Sequence, residues 1–312
     1  MIDFRYHLVS IVSIFLALAV GIVLGAGPLK EDLGNTLTSE VKNLRQDKAT
    51  LRSQLDLAER GGKARDDFTT ASNRSLLASR LADTTVSVIV LPGADSGLVK
   101  STTETLTGAG ATIGSTISVQ DAWVDPDKAT LRSTLAQQLA GQVGVPVDQS
   151  ADLVDTVLAR SVLTKAGSGA PGATAALEGL RTGELVKYSS DTVTRATVAV
   201  VVAGPVSGSD AAERTDRATA LARLAGAMDS AGAGAVLVTS STAPGTTGVA
   251  SVVTTVRDDK DLPDTLSTVD DGELPMGQAS VVFGLLEQEA GKSGQYGLAS
   301  DASAAFPQLA TK

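Results

Sequence analysis

The chain is 312 residues long, has 26 basic and 35 acidic side chains for a net charge of −9, and contains no cysteine and one histidine. Without cysteine there is neither a disulfide framework nor a thiolate metal site, and with the one histidine at His7 a Ser-His-Asp triad in the body is excluded. The charge is uneven: from Asp83 to the end 26 acidic residues oppose 15 basic ones, so this body repels a phosphate backbone and no nucleic-acid partner is expected.

Leu8 to Ala26 (LVSIVSIFLALAVGIVLGA) is a run without a charge. Coiled as a helix it is about 28 Å long, close to the hydrocarbon thickness of a bilayer. The alternative is a cleavable secretion signal, whose apolar core usually runs about 7 to 15 residues and ends at a small-x-small site. This run is longer, and its exit at Gly25-Ala26-Gly27, followed by Pro28, matches that site only in part. Residues 1–28 are therefore expected to remain as a single-pass signal anchor in the cell membrane. Arg5 and Lys30 balance across the span, so the orientation follows from the short N-terminus, placed in the cytoplasm, and the large extracytoplasmic body. Ala17, Gly21 and Gly25 recur at four-residue spacing, a pattern that lets two spanning helices approach closely.

Residues 29–60 carry a heptad pattern. Val41, Lys48 and Leu55 take the a positions, and Leu37, Leu44, Leu51 and Ala58 the d positions. This seam predicts a coiled coil, and a β-branched residue at a with Leu at d favours a parallel homodimer. The other reading of the seam is an amphipathic helix folded back on its own domain. Gly61-Gly62 is expected to break the rod as a hinge, with a further helix over roughly Ala64 to Leu81 in a segment spanning 61–83.

From Val86 the period changes to that of an α/β domain, residues 84–312. Val86 to Leu91 reads as a buried strand closed by Pro92-Gly93, followed by a helix from Ser96 to Leu106, a Gly108-Ala109-Gly110-Ala111 turn and a strand near Thr112 to Val119. Helices are expected near Asp127 to Leu139 and Asp148 to Leu163, then a linker over Gly167 to Gly172. The first pattern then repeats: Val198 to Ala203, Gly204-Pro205, a helix from Asp210 to Ala231, Gly232-Ala233-Gly234-Ala235, and Val236 to Val238. The echo predicts duplicated βαβ units in a largely parallel sheet covered by helices. Leu274-Pro275 opens a last amphipathic helix.

No residue set for catalysis, metal or cofactor stands out, and no enzymatic activity is expected. There is no P-loop lysine, and the two GAGA segments follow helices instead of opening them, so they read as helix-ending turns. The Pro92-Gly93 and Gly204-Pro205 turns lie where α/β sheets bind ligands, yet with no phosphate-directed motif they read as plain turns. Asp258, Asp259, Asp261, Asp264, Asp270, Asp271 and Glu273 form an acidic run whose spacing matches no EF-hand, and it reads as a solvated loop.

Phe4-Arg5-Tyr6-His7 leading into Gly21-Ile22-Val23-Leu24-Gly25-Ala26-Gly27, together with Ser267-Thr268-Val269-Asp270-Asp271, Ala290-Gly291-Lys292 and Gly294-Gln295-Tyr296-Gly297, resembles the actinobacterial family of mycobacterial copper transport protein B. The resemblance spans essentially the whole chain. It implies a copper transporter acting in copper homeostasis or efflux, channel-like, in the outer membrane as the alternative location. It also implies a second role, as a non-enzymatic coiled-coil scaffold that regulates cell-wall hydrolases in cell separation and cell division, with a second envelope or membrane protein as partner. The residues themselves offer three methionines, one histidine and no cysteine, which is too few soft donors for a tight copper site in one body.

Overall fold

The computed structural model describes residues 4–25, 29–147, 152–165, 170, 172–188, 193–241 and 248–308, with side chains from 37 onward in the second helix. Four of the six residues of the expected linker over Gly167 to Gly172 lie outside the described residues. The chain divides into two compact units, residues 1–65 and 66–312.

The first unit is helical. α1 (Phe4–Gly25) buries none of its residues, and it is the one described helix long and apolar enough to cross a membrane. α2 (Leu29–Leu76) runs unbroken through Gly61 and Gly62, so the expected hinge is absent. Each glycine costs about 1 kcal/mol of helix propensity, but Leu57 to Arg60 and Lys63 to Arg65 are strong helix formers on both sides and carry the helix through.

The second unit is a seven-stranded sheet in the order β3-β2-β1-β4-β5-β6-β7. The strands are β1 (Thr85–Val90), β2 (Thr112–Val119), β3 (Val186–Tyr188), β4 (Val198–Val202), β5 (Ala235–Val238), β6 (Ser267–Val269) and β7 (Gln295–Tyr296). All pairings are parallel except that of β3, which closes one edge antiparallel to β2. The two central runs are buried on both faces, and their alternation divides the core. Val198, Val200 and Val202 of β4 point into one apolar layer with α3 (Ser96–Gly108) and α9 (Pro275–Glu289). Ala199, Val201 and Ala203 point into the other, formed by α4 (Ala129–Ala140), α5 (Leu153–Val162), α6 (Ala173–Thr182), α7 (Ala211–Ala231) and α8 (Val252–Arg257).

The echo in the sequence is an echo in space. β1-α3-β2 and β4-α7-β5 are both parallel crossovers, but they step in opposite directions from the sheet centre, and a single crossover hand therefore sends α3 and α7 to opposite faces. β6-α9-β7 departs from that rule: it steps the same way as β4-α7-β5, yet its helix lies on the face of α3. Asp95 caps α3, Asp210 caps α7 and Ser251 caps α8, each through a side-chain oxygen accepting a backbone N–H three residues on.

Candidate functional site

Strand order reverses between β1 and β4, the place where parallel sheets commonly open a ligand crevice. Here the Pro92-Gly93 and Gly204-Pro205 turns meet. A Cβ at Gly204 would lie 1.8 Å from the Gly93 carbonyl oxygen, and one at Gly93, where φ is +81°, would lie 2.8 Å from that of Pro205. The two turns pack backbone on backbone beside a cavity that Gly204 and Pro205 line. The GAGA segments end α3 and α7, and lead into β2 and β5.

The acidic run divides into two parts. Asp258, Asp259, Asp261 and Asp264 are exposed, as expected of a solvated loop, but Asp270 and Asp271 are buried and correct that reading. For Asp270 the cause is Arg257, whose side chain is only 3% exposed. It donates from Nη1 to Asp270 Oδ2 and Asp301 Oδ1, each at 2.7 Å, from Nη2 to the Tyr296 carbonyl at 2.7 Å, and from Nε to Thr268 Oγ1 at 2.9 Å. The other oxygen of Asp270 accepts from the Leu298 and Ala299 amides at 2.7 and 3.2 Å. Gly297, at φ +132°, brings the backbone so close to this carboxylate that a Cβ would lie 2.3 Å from it. The blocks Ser267 to Asp271 and Gly294 to Gly297, separated in sequence, thus meet as β6, β7 and this charge cluster.

Asp271 is wholly buried, and neither of its carboxylate oxygens has a hydrogen-bond partner. Burial, with Asp270 and Glu273 nearby, pushes it up to about 6. Glu273 instead accepts from the Ser241 amide at 2.9 Å and from the Ser241 hydroxyl.

A second polar cluster lies in the helical layer on the other face. Trp123, in a short 3₁₀ turn after β2, donates from Nε1 to Asp155 Oδ1 at 3.0 Å. Asp155 lies on α5 among Leu153, Val154, Val157 and Leu158, and burial pushes it up to about 7, against the opposing effects of the indole hydrogen bond, Arg223 and Arg132. These groups line a cavity of about 270 Å³ with Ser133 and Ala220. Arg132 of α4 donates from Nη1 to the carbonyls of Ala122 at 2.9 Å and Asp125 at 2.6 Å, and burial lowers it. Arg223 of α7 pairs with Asp152 at 3.2 Å. Sequence reasoning passed over this cluster; its signals were the single tryptophan and an aspartate at a core-facing position of an amphipathic helix.

The residues singled out in the sequence fall elsewhere. Ala17, Gly21 and Gly25 lie on α1, with nothing within 4 Å of a Cβ at either glycine. Leu37, Val41, Leu44, Leu51 and Leu55 are 40 to 69% exposed on α2, and Lys48 and Ala58 are exposed with them. For metals, Met228 is wholly buried in the core, Met276 is half-buried at the start of α9, and His7 is exposed on α1. Among the described residues no group of three or more His, Cys, Asp or Glu is placed to hold a metal ion.

Comparison with known proteins carries the sequence blocks further. The family model described as "Copper transport outer membrane protein, MctB" matches residues 1–307. Proteins named copper transporter MctB from Mycobacterium tuberculosis and Mycobacterium bovis are 28% identical over 309 residues, covering 95% of this chain and 96% of theirs. The protein of the same name from Mycobacterium leprae is 28% identical over 318 residues, covering 97% and 98%. The match runs from the apolar N-terminal helix through β7, and the chain belongs to the copper transport outer membrane protein family.

Proposed function

We propose that this chain is a membrane-anchored envelope protein that serves copper homeostasis and does so without coordinating copper tightly itself. The observation that carries the reading is the family match along the whole chain, with relatives named for copper transport 28% identical over 95 to 97% of it. Loose handling follows from donor chemistry. Cu(I) takes thiolate and thioether ligands and Cu(II) takes imidazole, whereas Met228 is sealed in the core and the carboxylates of Asp270 and Glu273 are occupied by protein donors. One spanning helix cannot enclose a pore, so a channel-like route needs several copies, in the cell membrane or the outer membrane. The test is a deletion strain: total intracellular copper rises and copper tolerance falls, both restored by the full-length chain. Unchanged copper content in the deletion strain overturns the reading.

A second reading is favoured by the exposed heptad face of α2. Here α2 pairs with a second copy as a parallel coiled coil, aided by Ala17, Gly21 and Gly25 in the membrane, and the body recruits a second envelope protein to regulate cell-wall hydrolases without catalysing a reaction. Cysteines placed at Leu44 and Leu51 then form intermolecular disulfides in membranes. Chained, unseparated cells from L44A/L51A with normal copper tolerance select this reading over the first.

A further inference from the structure

Arg132 stands out as a half-buried cation with Asp125 and Asp155 nearby but no direct ion pair among the described residues. Its Nη1 is used by two carbonyls, while Nε and Nη2 have no hydrogen bond, and no carboxylate lies within ion-pair distance among the described residues. Nor are these two nitrogens sealed in protein, since the buried polar atoms left without partners belong to Arg217, Asp271 and Gln278. Arg132 lines the cavity beside Asp155 and also a neighbouring one with Glu213 and Asp216 on its walls. Arg223, 43% exposed, stands at the cavity beside Asp155, its guanidinium held by Asp152 through Nε. A guanidinium fork with free N–H groups in a concave, partly desolvated place matches a planar anion, which it grips through charge-assisted hydrogen bonds.

Which anion follows from the remaining walls. Asp155 faces the cavity from α5, with Arg132 on α4, Arg223 on α7 and Asp152 beside α5 as its charged neighbours. A phosphate dianion there would meet two carboxylates. A carboxylate monoanion instead shares a proton with Asp155, forming an acid–carboxylate pair, and its body rests on Ala136, Leu153 and Ala220. We propose that the cavity between α4, α5 and α7 is a binding site for a small carboxylic acid with a short apolar body, its carboxylate seated on Arg132 with Arg223 at the rim and one oxygen against Asp155.

The test is calorimetric titration of the full-length protein in detergent with N-acetyl-L-alanine at pH 6, and with N-acetyl-L-alanine amide as control. The acid binds at least about tenfold more tightly than the amide, because only the acid offers a charge to the guanidinium. Arg132→Gln weakens the acid by about tenfold or more. Arg223→Gln weakens it by several-fold, and this exposed position keeps the test informative if Arg132→Gln does not fold. Between pH 6 and 8 binding to the native protein falls about tenfold as the shared proton is lost, and Asp155→Asn flattens that fall. Equal affinity for acid and amide, displacement by chloride or sulfate at equal concentration, native affinity in Arg223→Gln and Arg132→Gln, or no heat from either probe into the tens of millimolar would overturn the proposal.

Discussion

The two buried arginine–aspartate clusters of the body use the same side chains and end in different states. Around Arg257 the guanidinium meets two carboxylates, a carbonyl and a hydroxyl, and Asp270 is filled from both sides by Arg257 and by two backbone amides. Around Arg132 the guanidinium meets two carbonyls, keeps two nitrogens unused, and neighbours an aspartate with a single indole donor. A buried charge is tolerated when its hydrogen-bonding capacity is met inside the protein. The first cluster meets that condition and clasps the edge strands β6 and β7 together. The second does not, and its unused nitrogens lie on a residue that lines a cavity, which sets it apart from a structural clasp.

The largest effect expected from this comparison is the loss of the clasp. Arg257→Ala leaves Asp270 charged, buried and short of its cation, which costs about 3–5 kcal/mol for a broken buried pair. In urea unfolding of the full-length protein the body should unfold at much lower denaturant, with β7 and the segment to Asp301 losing amide protection first. A cost below about 1 kcal/mol would show that the cluster is incidental.

Next comes the titration of the open cluster. Asp155 holds its proton to about pH 7 in the folded chain, against 3.8 for the ordinary group. The folded state therefore binds the proton more tightly than the unfolded state, so the contribution is fully present below about pH 4, is lost as pH rises from there to about 7, and is flat above. Asp155→Asn keeps an acceptor for the Trp123 indole and removes the titration. It should raise stability at pH 8 by about 2 kcal/mol, or about 5 °C in Tm, while leaving pH 4 nearly unchanged. Asp271→Asn acts in the same direction over the window from 3.8 to about 6, with a smaller gain of about 1 kcal/mol at pH 8, because its shift is smaller. Opposite signs at pH 8 would mean that these carboxylates are stabilised by partners as Asp270 is.

The clasp and the cavity were unequally legible in the sequence, and the reason is distance along the chain. β1 and β4 announce themselves as continuous β-branched runs, and Asp95 and Asp210 mark their helices, because strands buried on two faces and capped helices are local signals. β6 is three residues inside an acidic run, held by polar contacts: Gln288 donates to Ser267 Oγ at 2.8 Å, and Thr268 Oγ1 donates to Gln295 Oε1 at 2.6 Å. No hydrophobic pattern reports such a strand. Asp270 and Asp271 read as solvated because charge alone was visible, while the Arg257 that draws Asp270 inside lies on a six-residue helix too short to be periodic. Gly61-Gly62 misled in the other direction, since a local breaker was outweighed by the formers around it. Trp123, Arg132, Asp155 and Arg223 come from four separate segments and become a cluster only when α4, α5 and α7 pack.

The smallest effect decides the comparison most sharply. Arg132→Gln removes a cation with no carboxylate at ion-pair distance, so no buried anion is stranded as it is in Arg257→Ala. The losses are two hydrogen bonds to carbonyls, each worth about 0.5–1.5 kcal/mol net, of which the shorter amide can remake one. Against these stands the relief of a desolvated charge, which lowers Arg132 from its ordinary value. The sum should lie within about 1 kcal/mol of the native protein. Measured side by side in urea at pH 7, the Arg132 variant should therefore stay near the native curve while the Arg257 variant falls well below it. Equal losses would mean that both arginines are clasps, and that the cavity beside Arg132 is only a packing gap.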